Sequence, residues 1–188
     1  EAIQLLPESK YAENVSKAGY SSETTVAGQQ LAAQWWVEEV LDGPVLDADG
    51  DAVAEWLAST PLIAERWRHQ YVDSWADGED STSSIVALAA LDTPVPVFRR
   101  DNQSRLHSVS VEITNVDAVE FEGEPFIQII SKLGATYVGS DKGEYALTVS
   151  AAPVALPVAE DGSVSLSVQG SNVTGELALP DGPVVEVG

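Results

Sequence analysis

No cysteine and no methionine occur in the sequence. The first absence excludes disulfides, thiolate metal sites and cysteine nucleophiles together. The second removes a soft, oxidation-prone side chain and says nothing about function. Positive charge is scarce: 9 lysines and arginines stand against 30 aspartates and glutamates, for a net charge of -21 and a pI near 4.1. Tracking a nucleic-acid backbone requires a basic face, which the chain as a whole does not offer. No apolar run approaches the roughly 20 residues of a membrane helix; the longest, 85–91, is far too short. No signal peptide is visible and the sequence begins at Glu1, which is compatible with removal or omission of an earlier segment.

What is present is enough apolar content for a sizeable core in one domain or two small ones. Residues 59–78 carry the best-marked helix. Ser59 and Thr60 can cap it, Pro61 suits its first turn, and Asp77-Gly78 ends it. Ile63, Trp67, Tyr71 and Trp75 recur every four residues as an apolar stripe. A second helix spans 21–41, capped by Ser21 or Ser22 with Glu23 near its positive end. Val26, Ala33, Trp36, Val37, Val40 and Leu41 share one of its faces, and Trp35 points elsewhere, so the helix is covered on two sides. A short helix over 51–58 and an ambiguous segment at 84–91 complete the helical half. Residues 1–20 read as an arm with one helical turn near 11–17.

At Thr93-Pro94 the pattern changes to short β-branched segments divided by turn residues. Strands are expected at 95–100, 105–114, 119–122, 126–131, 136–138, 145–149, 154–158, 164–168, 173–179 and 184–187. The expected fold is α+β: an N-terminal bundle of three to four helices over 21–92, then an antiparallel β-sandwich or barrel over 93–188.

Several constellations carry candidate chemistry. Asp47, Asp49 and Asp51 have the spacing that opens a calcium loop, with Glu55 within reach as a further ligand. Ala52 and Ala58 replace the glycine and glutamate that such a loop uses, and a solvated turn with Asp51 as a helix cap competes. Calcium or another divalent cation is thus the one cofactor that the sequence suggests. Glu65, His69 and Asp73 lie at successive helical turns, an arrangement suited to exposed ion pairing or to a metal, with His107 the only other histidine. All five arginines (Arg66, Arg68, Arg99, Arg100, Arg105) fall within 66–105. They either balance nearby acids or form a patch that meets a protein partner, or nucleic acid locally, through bidentate contacts. All five tryptophans lie in the helical half; most are expected in the core, with Trp35 and Trp75 as interface candidates. Asn14, Asn102 and Asn172 head glycosylation sequons, the last two in expected turns. No phosphate-cradling loop, zinc helix or nucleophile elbow occurs, and no catalytic residue is assigned.

The lysine-poor, Ala/Val/Asp/Glu-rich composition resembles that of proteins from salt-loving archaea and their viruses. The outline, helices first and sheet second, resembles small virion proteins of tailed viruses, of head–tail connector or accessory capsid type. The resemblance implies a non-enzymatic structural subunit, located in a virion, that contacts itself and other proteins of an assembly, with no membrane insertion. The competing reading is a secreted or cell-surface β-sandwich with a helical cap that binds a cation or glycan.

Overall fold

The computed structural model describes residues 2–42, 54–55, 58–59, 65, 68–69, 72–73, 106–139, 142–166, 169–170, 175–182 and 184–187. In chain order the elements are β1 (Ala2–Gln4), a 3-10 turn (Glu8–Lys10), α1 (Ala12–Ser16), α2 (Ser22–Trp35), a π-helical turn (Trp36–Leu41), β2 (Leu106–Phe121), β3 (Glu124–Val138), β4 (Glu144–Pro157), β5 (Gln169–Gly170), β6 (Gly175–Ala178) and β7 (Val184–Val187).

The strands form one mixed sheet in the order β1-β2-β3-β4-β6-β7, with β5 also on β4. Among the described residues only the β1–β2 pair is parallel. β2, β3 and β4 run 16, 15 and 14 residues and make the body of the sheet. Glu122 and Gly123, both at positive φ (53° and 83°), close the β2–β3 hairpin as a two-residue turn whose twist matches the flanking strands.

Three bulges keep one face buried along these long strands. Ile113 pairs with Ser131 and Asn115 with Ile130, so Thr114 is an extra residue on β2, and its hydroxyl donates to the Ile130 carbonyl (3.1 Å). The insertion changes the parity: Val111 and Ile113 are buried before it, Val116 after it. β4 does the same between Val149 and Ala152, so burial passes from Tyr145, Leu147 and Val149 to Ala152, Val154 and Leu156. The third bulge lies at His107, between Leu106 and Ser108.

α2 lies on the buried face. Ser21 caps it by accepting the Thr24 N–H (3.1 Å). Its core-facing positions in the first turns are small or polar: Thr25, Gly28, Gln29 and Ala32. Gly28 lets the helix approach closely, since a Cβ there would sit 3.2 Å from two Ile127 methyl carbons. Trp35 and Trp36 are both buried, with ring centroids 4.3 Å apart. The π-helical turn carries Val40 and Leu41 into the same cluster, and Tyr137 Oη donates to the Leu41 carbonyl (2.8 Å) to end it. Tyr11, Val15 and Val72 join this core, so the N-terminal segment, α2 and the sheet share it. Each fully buried large aliphatic contributes roughly 1.5–3 kcal/mol.

The expected N-terminal bundle and the sandwich or barrel are both corrected. Among the described residues one helix of seven or more residues packs on one sheet, and no second sheet covers it. Helix α2 and the N-terminal segment provide the cover that a second sheet would have provided. Positions 54–55, 58–59, 65, 68–69 and 72–73 are helical, and Ser59 is inside a helical turn, with its hydroxyl donating to the Glu55 carbonyl (2.8 Å). The stripe Ile63, Trp67, Tyr71 and Trp75, the segment 84–91 and the strand at 95–100 lie outside the described residues. The stretch 2–20 lies on the chain's own sheet: β1 pairs with β2, Asn14 Nδ2 donates to the Val116 carbonyl (3.0 Å), and Tyr20 Oη donates to the Phe126 carbonyl (3.1 Å).

Candidate interaction face

With one face of the sheet sealed by α2, the chemistry of the described residues is displayed on the other. Register fixes what stands there. One row crosses six strands, Ala2–Ser110–Gly134–Thr148–Glu176–Glu186; the next crosses five, Ser108–Thr136–Ala146–Ala178–Val184. Every member is exposed or half-buried. Over β2, β3 and β4 the side chains in these rows are short, so the surface forms a shallow trough of about 450 Å³ over Ser108, Ser110, Gly134, Thr136, Ala146 and Thr148. Gly134 matters to its shape: a Cβ there would fall 2.7 Å from Ser110 Oγ.

The rim is charged. Glu112 faces Lys132 at 3.9 Å, both more than half exposed. His107 Nδ1 lies 2.9 Å from Glu144 Oε1, with both side chains exposed. The bulge at His107 re-aims that ring across the end of β3. Glu176 and Glu186 are directly opposed on β6 and β7, an unfavourable like-charge pair at close cross-strand spacing. Ser108 Oγ donates to Thr136 Oγ1 (3.0 Å), so the hydroxyl beside His107 is engaged across the sheet. Val184, 57% exposed, and Val138, 39% exposed, add apolar area at the margins.

The residues singled out in the sequence are placed differently. Trp35 is 1% exposed and packs on Trp36, so its ring belongs to the core and is not offered to a partner. Glu55, Glu65, His69 and Asp73 are exposed positions in helical backbone, and Arg68 is half-buried. Among the described residues no three His, Asp or Glu side chains converge as a metal site. Asp47, Asp49, Asp51, Arg66, Trp75, Arg99, Arg100, Asn102, Arg105 and Asn172 lie outside the described residues. Asn14, the remaining sequon asparagine, uses its amide to tether α1 to β2. The small-residue face itself escaped sequence reading, since its signal is only the even-numbered Ser, Thr, Ala and Gly between core positions. Among the described residues, no helix is long and apolar enough to cross a membrane.

No family model, curated protein or solved structure matches the chain.

Proposed function

We propose that this protein is a non-enzymatic structural subunit of a larger assembly, acting through protein–protein contacts in high salt. The observation that carries this reading is the two-faced sheet: one face sealed by α2, the other exposed in rows five and six strands wide, short-chained over β2, β3 and β4. A broad, shallow surface suits contact with another macromolecule better than enclosure of a small substrate. The net charge of -21 supports the high-salt part, because screening lets strongly acidic surfaces approach one another. The narrower reading, a virion component of connector or accessory capsid type, rests on the lysine-poor acidic composition.

Sedimentation velocity at rising protein concentration, in about molar potassium chloride, tests it. A sedimentation coefficient that grows with concentration is expected. A compact monomer at every concentration contradicts self-assembly.

A further inference from the structure

We propose that the open half of the sheet is a docking face for an extended, lysine- or arginine-bearing segment of a different protein. The inference deepens the assembly reading, on which it rests for the partner's being a protein. Three observations define the occupant. First, the floor is low: Gly134 and Ala146 between Ser108, Ser110, Thr136 and Thr148 let a polypeptide backbone approach, and the four hydroxyls can donate to or accept from it. Secondly, the charge is one-sided. Glu112, Glu144, Glu176 and Glu186 stand on this half against Lys132 and His107. The opposed pair Glu176–Glu186 is destabilising alone, and a cationic side chain between the two carboxylates relieves it. Thirdly, no Phe, Tyr or Trp among the described residues stands in the two rows or on the rim, which removes the platform on which sugars and bases stack. The acidic rim also repels nucleic-acid phosphates and, in dilute salt, the acidic surface of a second copy.

The test is fluorescence anisotropy with the full chain and a labelled peptide of alternating lysine and threonine, with an alternating glutamate–threonine peptide as counterpart. Glu176→Lys/Glu186→Lys should weaken the lysine peptide about tenfold, whereas Glu13→Lys/Glu160→Lys, an equal change at exposed positions off this face, should change it less than about twofold. Ala146→Phe fills the trough without altering charge and should also weaken binding about tenfold. Circular dichroism confirms that each variant is folded. Absence of lysine-peptide binding by the wild type, equal loss in both charge variants, or undiminished binding by Ala146→Phe would overturn the proposal. A doubled solution mass that Glu176→Lys/Glu186→Lys abolishes would assign the face to a second copy and overturn it too. Oligomers without peptide binding leave the assembly reading standing and remove this one; peptide binding by a chain that stays monomeric removes self-association and leaves contact with a different protein standing.

Discussion

Gln29 pairs its side-chain amide with both backbone groups of Leu6: Oε1 accepts the Leu6 N–H at 2.7 Å, and Nε2 donates to the Leu6 carbonyl at 3.3 Å. The glutamine is fully buried on α2, so it acts toward Leu6 as a neighbouring strand would. Tyr11 Oη and Thr25 Oγ1, 3.0 Å apart, repeat the tie one turn earlier on the helix. The N-terminal segment is thereby fixed to α2 and the sheet. Gln29→Leu removes both bonds and strands the Leu6 peptide, so a loss of about 1–3 kcal/mol is expected in urea unfolding, with faster amide exchange at Leu6.

Gly28 gives a graded test of packing between α2 and β3. Gly28→Ala gains helix propensity but places a methyl 3.2 Å from the Ile127 methyl carbons, so the two effects should cancel to within about 1 kcal/mol. Gly28→Val cannot be relieved by the ends of Ile127 and Ile129 alone and should cost about 1–3 kcal/mol by thermal or urea melts.

The β2 bulge predicts a contrast between deletion and substitution at Thr114. Thr114→Val loses the hydroxyl bond to the Ile130 carbonyl, about 1 kcal/mol. Deleting Thr114 reverses the parity of the second half of the strand and turns Val116, now fully buried, to the other face. The deletion should cost at least about 3 kcal/mol or abolish the cooperative melt.

Two groups titrate away from their ordinary values, with opposite signs. Asp161 accepts from the Ser163 hydroxyl (2.6 Å) and the Ser163 N–H (2.9 Å), which hold its carboxyl below the ordinary 3.8. A lowered folded-state pKa stabilises above the unfolded value, and the contribution is lost as pH falls through the folded one. The melting-temperature advantage of wild type over Asp161→Asn should therefore shrink as pH falls below 3.8 and through the lowered folded-state value. Tyr20 has the opposite sign. Burial raises its pKa above 10.0, so its contribution is present below that value and lost as pH rises through the folded one. Phenolate absorption should show a late-titrating component that Tyr20→Phe removes.

Much of the sheet's punctuation is legible in the sequence. The expected breaks between 119–122 and 126–131 and between 136–138 and 145–149 fall within two residues of the observed β2–β3 and β3–β4 strand ends, β7 has its expected bounds, and Ser21 is the α2 cap. Strand length is not legible. Asn115-Val116-Asp117, Gly134 and Ser150-Ala151-Ala152-Pro153 look like breaks, yet all stay within the strands because bulges, one of them at Ser150-Ala151, restore the alternation that local composition interrupts. The helix–sheet contact is hidden for a related reason: Thr25, Gly28 and Gln29 carry no apolar periodicity, though they form the buried stripe of α2. Sequence periodicity favours a bundle because helical segments announce themselves by large side chains. The cover on this sheet approaches Ile127 and Ile129 through a glycine, Gly28. The open face is silent in sequence because Ser110, Gly134 and Thr148 become neighbours only through register.

Solution mass tests the assembly reading most directly. Light scattering on the purified chain, in dilute buffer and again in about molar potassium chloride, separates charge repulsion from absence of contacts. The account predicts a mass that appears as, or grows to, a defined oligomer as salt rises, with the circular dichroism spectrum unchanged. A folded monomer of the same mass at both salts would contradict it.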